Sequence, residues 1–96
     1  MDTANATLRA TVRGFVQGVG FRIFVRSAAW HFNLQGYVRN MPDGTLQVVA
    51  AGPRPALEKL LAEIWRGPAG AHITAVDVNW QDGEAAGLRT PFEVRL

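Results

Sequence analysis

The residues best suited to chemistry are Arg22, Asn40 and the glycine-bearing run from Gly14 to Arg22, Gly-Phe-Val-Gln-Gly-Val-Gly-Phe-Arg. Its glycines let the backbone turn tightly and leave N–H groups uncovered. A helix beginning just after that turn would aim its unpaired N–H groups, and the positive end of its dipole, back into it. A loop of this shape cradles phosphate. Arg22, in the first helical turn, would add a planar, permanently charged fork that grips two phosphoryl oxygens.

With a phosphoryl group in the loop, backbone amides from about Val16 to Gly20 point at its oxygens while Arg22 closes over them. That arrangement stabilises charge on the equatorial oxygens during phosphoryl transfer, where positioning and electrostatics do nearly all the work. An attacking water must then be oriented. A neutral carboxamide can hold it through its carbonyl, and Asn40 is the candidate. The sequence offers no strong general acid beside these residues. A phosphate monoester leaves as an alkoxide and needs a proton donor or a metal, whereas an acyl phosphate leaves as a carboxylate and departs unassisted. The residue set therefore favours a mixed carboxylic-phosphoric anhydride.

The elements that must place these residues are legible in the hydrophobic pattern. Leu8, Ala10, Val12 and Val16 alternate with Arg9, Thr11, Arg13 and Phe15, the period of a half-buried strand, and Gly14 marks a bulge or a close backbone approach. From Phe21 the period changes: Phe21, Phe24, Val25, Ala28 and Phe32 form a helical stripe that ends near Asn33. Gly36–Arg39 and Thr45–Ala51 read as two strands of a hairpin closed by Asn-Met-Pro-Asp-Gly at 40–44. Gly-Pro-Arg-Pro at 52–55 is a breaker, with Pro55 suited to the first turn of a second helix carrying Leu57, Leu60, Leu61 and Ile64. Gly-Pro-Ala-Gly at 67–70 ends that helix. Ile73–Trp80 is strand-like, 81–91 is a loop, and Phe92, Val94 and Leu96 alternate in a last short strand. The order is β-α-β-β-α-β with a short extra edge strand. It predicts an α+β ferredoxin-like sandwich, two helices on one face of an antiparallel sheet.

The chain has 96 residues, sufficient for one domain, expected over 8–96 behind a flexible tail at 1–7. Of its ten basic residues nine are arginine, spread along the chain without a block, so the net charge of +2 writes no nucleic-acid footprint. No run approaches the ~20 apolar residues of a membrane span. The N-terminus has no basic start followed by an apolar block, so no secretory signal is expected. Cysteine is absent, which excludes disulfides and thiolate metal sites and leans toward the cytoplasm.

Together, Gly14–Arg22, then Gly-Tyr-Val-Arg-Asn at 36–40 and Asp-Gly-Thr at 43–45, resemble the acylphosphatase family. The likeness runs from Leu8 to Leu96, and the two motifs in that order are highly specific. The resemblance implies a small monomeric enzyme that hydrolyses acyl phosphates to carboxylate and inorganic phosphate without cofactor or metal. It implies phosphate binding by Phe15, Val16, Gln17, Gly18, Val19 and Gly20 of the loop together with Arg22. Catalysis would fall to Arg22 on the phosphoryl group and Asn40 on the water. Phe15 and Met41 depart from residues common in the family, and tuning of rate or stability is expected from them. The family pattern also occurs as one domain of larger proteins that mature metal enzymes; the chain's length favours the free-standing form.

Other readings are weaker. The glycines could serve only a tight turn, but neither a dinucleotide fingerprint nor a Walker loop fits them. RNA-recognition modules share the element order, yet Thr45–Ala51 lacks the aromatics on which bases stack. His31 and His72 have no partner at metal-ligand spacing, and Asp43 is turn chemistry. A catalytically silent domain that binds acyl or carbamoyl phosphate is the remaining alternative.

Overall fold

The computed structural model describes residues 4–96. Five strands and two helices follow in the order β1 (Asn5–Phe15), α1 (Phe21–His31), β2 (Gln35–Asn40), β3 (Leu46–Pro53), α2 (Arg54–Arg66), β4 (His72–Asp82) and β5 (Glu93–Arg95). They form one sheet in the order β4-β1-β3-β2-β5. The first four strands pair antiparallel, while β5 joins β2 in parallel. The sheet is therefore mixed, and the ferredoxin-like sandwich carries a parallel edge strand. No helix among the described residues is long and apolar enough to cross a membrane.

The core forms because one face of each element is apolar at that element's own period. Leu8, Ala10 and Val12 of β1, Val38 of β2, and Leu46, Val48 and Ala50 of β3 meet Phe21, Val25 and Ala29 of α1 and Leu57, Leu60 and Ile64 of α2. Phe24, Ala28, Phe32 and Leu61 of the expected stripes flank this cluster half-buried. Asn33 takes a left-handed φ of 56° after α1, and the Leu34 amide donates to the Ala29 carbonyl. Leu34 is thereby folded back into the core.

Gly14 stands at the register shift between β1 and β4, as the pattern indicated. A Cβ there would lie 2.1 Å from the His72 carbonyl oxygen, so only glycine admits so close a strand.

Several boundaries differ from the sequence reading. The first strand starts at Asn5, inside the segment expected to be a tail; residues 1–3 of that segment lie outside the described residues. Thr7 is fully buried, its hydroxyl donating to the Gly83 carbonyl and accepting from the Ala85 amide, both at 2.8 Å. The breaker at 52–55 is divided between two elements: β3 continues to Pro53, paired with Asn5, and α2 starts at Arg54 with Pro55 in its first turn, as expected. β4 extends to Asp82 because Ala6 pairs with it. Leu96 is fully exposed, since β5 ends at Arg95 and no element covers the terminus.

Candidate active site

The topology brings the candidate residues to one end of the sheet. β1 and β2 are each antiparallel to the strand between them, β3, so they run parallel to each other. Their C-terminal ends share one edge of the sandwich. The turn after β1 leads there into the N-terminus of α1, and Asn40, the last residue of β2, arrives beside it. β5, parallel to β2, delivers Val94 opposite Val38. Alternation along β2 puts Asn40 on the helix-facing side with buried Val38.

The loop leaves its backbone amides uncovered. Gly18 and Gly20 both take φ of +77°, with Val19 of ordinary hand between them. Alternating handedness of this kind turns successive amides inward as a nest. No amide from Gln17 to Gly20 donates to a backbone carbonyl among the described residues. Gly20 caps α1 without any side-chain hydrogen bond, and no acidic residue occupies the first helical turn. The positive helix end is therefore uncompensated.

A cavity of about 170 Å³ opens on this nest, lined by Val16, Gly18, Gly20, Phe21, Arg22, Ile23, Asn40 and Val94. It holds both residues expected to act, Arg22 and Asn40. Arg22 makes no ion pair among the described residues. The Asn40 Oδ1 is buried and has no hydrogen-bond partner, although buried polar atoms are almost always paired. Arg22 and Asn40 thus line one small space, neither the cation nor the Asn40 Oδ1 having a partner among the described residues.

Three loop residues behave differently. Phe15 does not line the cavity: it is the last residue of β1, paired with His72, and its side chain is 62% exposed. Val19 packs against the apolar core with its side chain. Gln17 has a side-chain role that the sequence did not disclose. Its Nε2 donates to the carbonyls of Met41 at 2.9 Å and Thr45 at 3.0 Å, clamping the loop to the turn that carries Asn40. Val94 was also missed as a wall, because its place depends on β5 joining the sheet edge.

The β2–β3 turn is tied from within as well. The Asp43 carboxylate accepts from the Thr45 hydroxyl at 2.7 Å and the Thr45 amide at 3.0 Å, which holds its pKa below the usual carboxylate range. His31 and His72 do not line the cavity. No group of three or more His, Asp or Glu that could hold a metal ion occurs among the described residues.

Comparison with known proteins shows the family and the fold. The acylphosphatase family profile matches residues 8–94. An acylphosphatase of Thermus thermophilus is 49% identical over 82 residues, covering 85% of this chain and 91% of the relative. The crystal structure of acylphosphatase from Bacillus subtilis superposes with a TM-score of 0.89 at 32% identity, covering 95% of this chain and 99% of that one. A full-length HypF structure in a phosphate- and nucleotide-bound form matches with a TM-score of 0.84 at 28% identity, over 95% of this chain but 12% of that protein. The chain belongs to the acylphosphatase family and is a hydrolase of small-molecule acyl phosphates.

Proposed function

We propose that the phosphoryl group of an acyl phosphate sits in the nest between Val16 and Gly20, gripped by Arg22, and that Asn40 orients the water that attacks phosphorus. The observation that carries this reading is that Arg22 and Asn40 line one cavity, with the Asn40 Oδ1 lacking a hydrogen-bond partner among the described residues. Gly18 and Gly20 contribute through their backbone amides, and Gln17 holds the nest against the Asn40 turn through its side chain.

The reaction follows from these positions. The Asn40 carbonyl accepts a hydrogen bond from water and directs its oxygen lone pair at phosphorus, in line with the carboxylate that leaves. The P–O bond to the acyl group breaks as the water oxygen bonds to phosphorus, and the water proton passes to solvent or to the product phosphate. Charge on the three equatorial oxygens is met by fixed amides and the Arg22 fork, with no reorganisation at the moment of reaction. The leaving carboxylate is a weak base, so no protonating side chain is required. This is consistent with a cavity lined by no carboxylate, imidazole or thiol. In this reading the enzyme works as a cytoplasmic monomer and needs neither metal nor cofactor.

The test is steady-state hydrolysis of benzoyl phosphate by Arg22 variants. Arg22→Ala should lower kcat at least about a hundredfold, the usual effect of losing one transition-state donor. Arg22→Lys should also be poor, because a point charge cannot reproduce the fork. Near-normal turnover of either variant overturns the role given to Arg22.

A further inference from the structure

Of the nine arginines, six have a side-chain hydrogen-bond or ion-pair partner among the described residues: Arg9, Arg13, Arg39, Arg54, Arg66 and Arg95. The other three are Arg22, Arg26 and Arg89. Arg22 lines the nest cavity. Arg26 and Arg89 line a second cavity of about 400 Å³, and Val94 is common to both. Arg22 and Arg26 are one helical turn apart on α1, a rise of about 6 Å along one face. The two cavities thus adjoin at Val94, and the second forms a groove beside the nest.

The second cavity has the features of a binding site. The Arg26 Nε is buried and has no partner, and its guanidinium lies 4.6 Å from the Trp30 ring centroid. Trp30 is half exposed, yet its indole N–H donates to the Phe92 carbonyl at 2.7 Å. That bond fixes an aromatic wall in place. Pro91 adds a further apolar surface. Glu93 also lines the groove, but its carboxylate is engaged by Arg95 at 2.9 Å. The uncommitted charge in the groove is positive and lies beside the apolar surfaces of Trp30 and Pro91.

We propose that this groove is the acyl-group subsite and that it selects acyl phosphates whose acyl part carries a second oxyanion. The proposal rests on the phosphoryl group occupying the nest at Arg22. From there the acyl part enters past Val94, lies against Trp30 and Pro91, and presents its far carboxylate or phosphate to Arg26 and Arg89. Both arginines act on specificity and neither touches the phosphorus undergoing attack.

Benzoyl phosphate and 4-carboxybenzoyl phosphate are the probes, since they differ only by a rigid distal carboxylate. The wild type should favour 4-carboxybenzoyl phosphate in kcat/KM, chiefly through a lower KM. The ratio of the two kcat/KM values should fall about tenfold in Arg89→Gln and in Arg26→Lys, the scale of one charge-assisted hydrogen bond lost or misaligned. Arg89 is exposed, so its variant folds whatever Arg26 contributes to packing. Equal kcat/KM for the two probes in the wild type, or a ratio unmoved by both variants, overturns the proposal. Failure of the underlying reading is separate: it would show as Arg22→Ala leaving competitive inhibition by inorganic phosphate intact.

Discussion

Replacing Asn40 by leucine separates its proposed work from any structural duty. The side chains are nearly isosteric, and the position lies at the end of β2 beside the nest. The Asn40 Oδ1 has no hydrogen-bond partner, so its removal forfeits none of the ~1 kcal/mol that an intramolecular hydrogen bond contributes. The leucine side chain would sit at the cavity that Val94 and Ile23 also line. The net change should stay within about 1 kcal/mol, which for a domain of this size is a shift in Tm of no more than roughly 4–8 °C. Turnover should respond very differently. An unoriented water loses a contact made in the transition state, and kcat should drop about 10²–10³-fold, some 2.7–4 kcal/mol of barrier. Inorganic phosphate should still inhibit, because Arg22 and the amides are untouched. The assays are a thermal melt, benzoyl phosphate kinetics and a phosphate inhibition constant, all on one variant. A Tm lowered by well over about 8 °C would make Asn40 a structural residue. A kcat within a few fold of wild type would refute the water-orienting role, as would a variant that merely loses phosphate binding.

Three further substitutions probe what holds the site. Gln17→Leu removes both side-chain bonds to Met41 and Thr45, should cost about 1–2 kcal/mol in a denaturant melt, and should lower kcat as the nest and Asn40 lose register; unchanged stability and activity would dismiss the clamp. Thr7→Val breaks two bonds of a fully buried hydroxyl and should cost about 2–3 kcal/mol, read as a fall in Tm of roughly 10 °C or more; a neutral substitution would return Asn5–Thr7 to a tail. Asp43 has a pKa lowered by Thr45, so the folded state gains from its ionised form. That gain is complete above the unfolded value near pH 4 and is lost as pH falls through the folded pKa. The Tm difference between wild type and Asp43→Ala should accordingly be largest above about pH 4 and shrink below it; a difference that grows on acidification contradicts the assignment.

Local features were legible in the sequence because their cause is local. The change from period 2 to the helical period at Phe21, the bulge at Gly14, the hairpin around Asp43 and the proline start of α2 each rest on a few adjacent residues. So did Arg22, where charge, glycines and helix start coincide. What escaped depends on partners far along the chain. Thr7 reads as a polar tail residue until Gly83 and Ala85 are brought to its hydroxyl. Leu96 reads as the third member of an alternating strand, but β5 is held only through residue 95 by its parallel pairing with β2. The side chain of Gln17 acquires its role only when the β2–β3 turn folds against the loop. Val94 and the groove beyond it follow from the same edge strand.

The most direct test of the phosphate nest is a titration of inorganic phosphate into ¹⁵N-labelled protein, followed amide by amide. The account predicts saturable shifts at Gln17, Gly18, Val19, Gly20 and Arg22, abolished in Arg22→Ala, with a binding constant equal to the inhibition constant. Amides from 17 to 20 that stay still while phosphate inhibits would contradict it.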